Sequence, residues 1–223
     1  MASSGETGDG LFVVFEGIDG AGTTTQCERY AARLRARRRL VHVTREPSTG
    51  PVGSMIRLAL THRLALPSAH QAETMALLFA ADRLDHVAAE IEPHLRDGYV
   101  VLSDRYDLSS LAYQSTTSNS GDDAGTVSWI RDLNRHARRP DLTLVLDVSP
   151  DVAAARRRAR GGAAELFDAA EVQARLAAAY LGAEALVPGD RLVHIDGDAA
   201  PDVVEATIAA VLDALVTGVP QKT

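Results

Sequence analysis

The chain has 223 residues, 46% hydrophobic and 24% charged, with a formal net charge of −7. That profile fits one ordinary globular domain. It lacks the basic surplus of a nucleic-acid binder, and no apolar run reaches the roughly 18 residues that cross a bilayer. The single Cys27 excludes an intrachain disulfide and fits a reducing, cytoplasmic setting.

Residues 1–10 are small and polar, without the apolar core of a signal peptide, and read as a tail. Residues 218–223 read the same way. Between them, five short and nearly all-apolar runs predict strands: Leu11–Phe15, Leu40–Thr44, Tyr99–Ser103, Leu142–Asp147 and Arg191–Ile195. Helical patterns fill the gaps at Thr23–Arg38, Val52–His62, Ser68–Asp97, Leu108–Ser115, Gly125–His136, Pro150–Arg160, Asp168–Ala185 and Pro201–Val216. This alternation implies one doubly wound α/β domain over residues 11–217. Thr116–Ala124 is rich in turn residues and reads as a surface loop, and 160–164 as a second flexible stretch. The basic run Arg33–Arg39 reads as a solvated helix end, and the seven histidines show no metal-ligand spacing.

The first strand runs into Glu16-Gly17-Ile18-Asp19-Gly20-Ala21-Gly22-Thr23-Thr24-Thr25. From Gly17 to Thr24 this fits the phosphate-binding pattern G-x-x-x-x-G-K-[ST], except that Thr23 stands where lysine belongs. Glycines let backbone N–H groups turn toward phosphate oxygens, and the helix start adds its positive dipole end. Residues 17–25 are therefore the expected ATP-binding loop, with the Thr24 hydroxyl placed for Mg²⁺. Loss of one preorganised transition-state donor costs about 3–4 kcal/mol. Either another cation replaces the lysine, or the site is slow, or it is dead.

Charged groups recur at the strand ends: Asp19 in the loop, Arg45-Glu46-Pro47 after the second strand, Asp104-Arg105-Tyr106 after the third. In open α/β sheets, ligands bind beyond these carboxyl ends. Each group alone reads as a salt bridge or a helix cap; the three together at strand ends favour a site.

Four segments resemble the thymidylate kinase (dTMP kinase) family of P-loop nucleoside-monophosphate kinases. They are 15–22 (FEGIDGAG), 44–47 (TREP), 77–83 (LLFAADR) and 104–114 (DRYDLSSLAYQ). The resemblance implies a three-layer P-loop kinase fold with a five-stranded parallel sheet, a mobile lid near 156–168, and a homodimer. It implies transfer of the γ-phosphoryl of ATP to dTMP, with Mg²⁺. Phe79 would stack on thymine and Arg83 would meet the base edge. Arg105 would hold the acceptor phosphate, with Arg45 nearby, and Asp19 the 3′-hydroxyl. Tyr113 would crowd the 2′ position, and Ser110 and Gln114 would line the pocket. Asp104 would hold Mg²⁺ beside Glu16 and Thr24. The lid run Arg156-Arg157-Arg158-Ala159-Arg160 resembles the branch in which a lid arginine is catalytic, with Arg158 and Arg160 first and Arg156 next. Two rivals stand: a nucleotide-binding pseudokinase, and a kinase for another deoxynucleotide or a nucleoside.

Overall fold

Leu11–Glu16 forms β1, in which every residue is buried. Such a strand must be covered on both faces, and it lies at the centre of a five-stranded parallel sheet of order β2-β3-β1-β4-β5. The other strands are β2 (Val41–Arg45), β3 (Val100–Asp104), β4 (Leu142–Asp147) and β5 (Leu192–Asp196). The edge strands β2 and β5 are only partly buried, as their position dictates. This computed structural model describes residues 10–66, 68–117, 123–161 and 169–219.

Ten α-helices are present among the described residues: α1 (Thr23–Ala36), α2 (Pro51–Leu60), α3 (Gln71–His86), α4 (Glu92–Arg96), α5 (Asp107–Thr117), α6 (Asp123–Asn134), α7 (Pro150–Arg160), α8 (Ala170–Leu181), α9 (Ala183–Leu186) and α10 (Pro201–Thr217). Alternate residues of β1 feed two cores, as the two-residue period of a strand requires. Leu11, Val13 and Phe15 join the main core, with Tyr30 and Leu34 of α1, Leu176 of α8 and Ile208 of α10. Phe12 and Val14 face a second cluster with Ile91, Leu95 and Tyr106. The expected three layers are therefore present. No helix among the described residues is long and apolar enough to cross a membrane.

Three expectations change. The single helix over Ser68–Asp97 is divided into a 3₁₀ turn at Ser68–His70, α3, a π-helical turn at Val87–Ile91, and α4. Pro93 lacks the N–H that would continue an α-helical ladder, and the wider turn precedes it. The helix expected to reach Ala185 breaks at Gly182 into α8 and α9. The basic run is more than a solvated face. Arg33 and Arg37 reach Asp213 at 2.8 and 3.0 Å, and Arg39 donates to the carbonyl oxygens of Val216 and Val219. These contacts tie α1 to α10. The two expected loops fall mostly outside the described residues, although α5 extends to Thr117 and α6 starts at Asp123.

Strand register positions the site. Phe15 and Arg45 both pair with Asp104, and Asp147 pairs with Asp196. All the chemistry-bearing groups at strand ends therefore emerge along one edge of the sheet.

Candidate active site

The loop after β1 is held from below and open above. Ile18 and Ala21 are buried, and the Ala21 N–H donates to the Ile18 carbonyl at 2.9 Å. Gly20 has φ 91°, and a Cβ there would lie 2.5 Å from the Ala153 carbonyl oxygen. Only glycine lets α7 rest so closely on the loop. Gly22, at φ 95°, starts α1 with no side-chain cap. The first N–H groups of α1 lack intrahelical partners and border a cavity of about 430 Å³ lined by residues 19–26. The loop thus curves round this cavity with threonine at position 23.

Thr24 donates its hydroxyl hydrogen bond to Asp104 Oδ2. The other oxygen, Oδ1, is buried and has no hydrogen-bond partner among the described residues. A buried carboxylate oxygen left open beside a hydroxyl offers the hard oxygen donors that suit a hydrated divalent cation. Glu16 is not directed to this pair. Its carboxylate receives the backbone N–H groups of Tyr106 and Ser109 at 2.8 and 3.1 Å, and the hydroxyls of Ser109 and Tyr180 at 2.6 and 3.0 Å. The metal role expected for Glu16 gives way to a structural one.

Burial pushes the Glu16 carboxyl from the ordinary 4.5 up to about 7, against the opposing pull of Arg105 and Ser109. Between those pH values the native state holds a proton that the unfolded chain has released. Stability is therefore expected to fall as pH rises from about 4.5 to about 7. Glu16→Gln should flatten that fall in urea melts at pH 5 and pH 8. An unchanged slope would contradict the assignment.

Arg105 stands between two cavities. Its Nη2 meets Asp19 Oδ1 at 2.6 Å, and its Nη1 donates to the Gly17 carbonyl at 2.9 Å and to Ser109 Oγ at 3.2 Å. Its backbone adopts φ 75°, rare for a side-chain-bearing residue. That conformation is fixed by Arg105 N–H to Phe15 O at 2.9 Å and Ser103 Oγ to Arg105 O at 2.8 Å. Asp19 and Arg105 line both the loop cavity and a second one of about 140 Å³.

The second cavity gathers most of the expected acceptor residues. Phe79, Tyr113, Ser110 and Gln114 line it, together with Glu46, Pro47 and Ser109. Phe79 packs beside Ile56, Ala59 and Met75 on one side and borders the cavity on the other. The Arg105 guanidinium lies 5.2 Å from the Tyr113 ring centre. Gln114 is buried, and its Oε1 has no hydrogen-bond partner among the described residues. Arg83 lies behind the lining, wholly buried. It pairs with Glu46 Oε2 at 2.6 Å, reaches Ser110 Oγ at 3.1 Å and bonds Asn134 Oδ1. Glu46, marked in the sequence only as one of the strand-end charges, is the anion that allows an arginine to be buried there. Arg45 is exposed at the end of β2 and lines neither cavity.

The α7 arginines correct the choice of lid residues. Arg156, Arg157 and Arg160 line the loop cavity, whereas Arg158 is exposed and does not. Arg156 donates to the Ala21 carbonyl at 3.3 Å, and Arg157 bonds the Asp19 carbonyl. Once the contact of Ala153 with Gly20 fixes the inward face, the helical period does the rest. Ala153, which meets Gly20, shares its face with positions three, four and seven residues later, and 158 is not among them. The rest of the expected lid, residues 162–168, lies outside the described residues.

A family model described as thymidylate kinase matches residues 15–208. A probable thymidylate kinase of Pyrobaculum aerophilum is 38% identical over 206 residues, covering 92% of this chain and 97% of the relative. A thymidylate kinase of Thermomicrobium roseum is 42% identical over 212 residues, covering 93% and 97%. One from Bifidobacterium longum is 49% identical over 148 residues, covering 64% and 68%.

Proposed function

The chain belongs to the thymidylate kinase family, and on that premise we propose that it moves the γ-phosphoryl group of ATP to dTMP, giving dTDP and ADP. The observation that carries this reading is the pair of cavities meeting at Asp19 and Arg105. One suits a polyphosphate; the other is small and walled by Phe79 and Tyr113, as a nucleobase and a deoxyribose need. The acceptor phosphate is already largely ionised near neutral pH, since its second pKa is about 6. No general base is required, and rate must come from alignment and charge.

The loop amides and the α1 N-terminus bind the donor phosphates. Arg105 holds the acceptor phosphate where the cavities meet, and Asp19 fixes that guanidinium and takes the sugar 3′-hydroxyl. Phe79 stacks on the base, with Ser110 and Gln114 along its edge. Arg83 acts on that edge through Ser110 and Glu46. Tyr113 closes the space a 2′-hydroxyl would need. Thr24 and Asp104 would hold Mg²⁺, which when bound would neutralise charge on the donor phosphates. In place of the missing lysine, Arg157 and Arg160 follow the moving phosphoryl group from α7. The adenine fits along Gly197, Ala199 and Pro201, which complete the loop cavity.

A cytoplasmic location fits the free, buried Cys27. A homodimer fits the exposed Met55 and Leu58 of α2 and Leu77 and Leu84 of α3, and its mass in solution is the check. The activity test is a coupled ATP/Mg²⁺ assay across dTMP, dUMP, CMP and thymidine. Turnover is expected to be fastest with dTMP. ATP binding without turnover of any acceptor would favour the pseudokinase, and faster turnover of thymidine the nucleoside kinase.

A further inference from the structure

Helix α8 carries two polar groups on a face that is otherwise core. Gln173, Leu176 and Tyr180 are its buried residues, and both polar side chains are at least 98% buried. Burying an amide and a phenol is costly unless partners receive them. Here each partner leads to an arginine of the site. The Gln173 Oε1 accepts from Arg157 Nη1 at 3.2 Å, and the same Nη1 bonds the Asp19 carbonyl in the phosphate loop. The Tyr180 hydroxyl donates to Glu16 Oε2 at 3.0 Å, lies 2.9 Å from Ser109 Oγ, and accepts from Arg105 Nη1 at 3.4 Å.

The two residues are seven apart, roughly 10 Å along the axis and on one face. A helix of this kind is stiff over that length. One face of α8 therefore touches the arginine beside the donor phosphates and the arginine assigned to the acceptor phosphate. The chain reaches this helix directly from the segment that follows α7.

We propose that Gln173 and Tyr180 are positioning residues, and that α8 acts as a strut holding Arg157 and Arg105 at a fixed separation across the line of phosphoryl transfer. In-line transfer is sensitive to such spacing, because a displacement of about 1 Å costs on the order of a hundredfold in rate. The strut separates two jobs. Gln173 acts on the donor side through Arg157. Tyr180 acts on the acceptor side through Arg105 and its neighbour Ser109. This inference rests on the thymidylate kinase reading for the identity of the acceptor.

The test uses the full chain with Tyr180→Phe, which keeps the ring and the packing, and with Gln173→Leu and Gln173→Glu. Tyr180→Phe is expected to raise KM for dTMP about tenfold and leave KM for ATP within about twofold. Gln173→Leu should do the reverse, raising KM for ATP and lowering kcat. Gln173→Glu, which keeps an acceptor for Arg157, should restore most of the loss. Equal shifts in both KM values, or a lower Tm with unchanged kinetics, would overturn the strut. A wild-type chain that turns over no acceptor defeats the functional reading alone. ATP calorimetry then decides the strut: Gln173→Leu must weaken ATP binding more than Tyr180→Phe does, and equal binding overturns it.

Discussion

Arg105→Ala is expected to lower kcat/KM for dTMP by roughly a thousandfold, about 4 kcal/mol of transition-state stabilisation. Arg105 is only 19% exposed at its side chain and is bound on several sides at once, by Asp19, Gly17 and Ser109. Among the described residues it is the cation common to the two cavities. Truncation removes the acceptor phosphate's charge partner and also leaves Asp19 without its ion pair. The pair is half-buried, so the carboxylate left behind is only partly solvated and adds a smaller, second cost. Arg105→Lys should recover only part of the loss, since an ammonium lacks the planar fork that reaches Asp19 and the loop carbonyl together. Steady-state kinetics with dTMP varied at saturating ATP decides this. A fall of less than tenfold for the alanine variant would remove Arg105 from its assigned place.

The second large effect concerns the arginines of α7. Arg157→Ala is expected to lower kcat about a hundredfold, and Arg160→Ala to a comparable degree, whereas Thr23→Ala should cost only a few-fold. Loss of a preorganised cation raises the barrier directly. Thr23 is 6% exposed and carries no charge, and alanine keeps its backbone N–H at the start of α1. Arg158→Ala serves as the internal control. It changes the same helix and the same net charge, but it lies outside the cavity, so its kinetics should stay close to wild type. If Arg158→Ala matched Arg157→Ala, the effect would belong to overall charge and not to place.

The sheet was legible because parallel strands buried on both faces must be short apolar runs, as the central β1, β3 and β4 are, and the half-buried edge strands β2 and β5 still carry valine, leucine and isoleucine between their polar residues. The site was legible where chemistry sits at strand ends: Asp19, Asp104 and Arg105 come together as their positions imply. What the sequence hid depends on side-chain direction and on partners far along the chain. Arg157 and Arg158 are adjacent and identical in type; only the contact of Ala153 with Gly20 decides which faces the loop. Glu16 ends β1 next to the phosphate loop, yet donors from α5 and α8, which the sequence does not link to it, claim its carboxylate. Arg83 follows Phe79 by one helical turn, as the motif suggests. Its burial behind Ser110 depends on Glu46 from another strand end.

The most direct test is kcat for Thr23→Lys, measured in the wild-type chain and in the Arg157→Ala chain. If α7 arginines have taken over from the lysine, Thr23→Lys changes the wild-type rate by no more than a few-fold but recovers tenfold or more of the activity lost in Arg157→Ala. A gain of a hundredfold in the wild-type chain, with no recovery beyond that in Arg157→Ala, would mean that the loop is simply missing its cation.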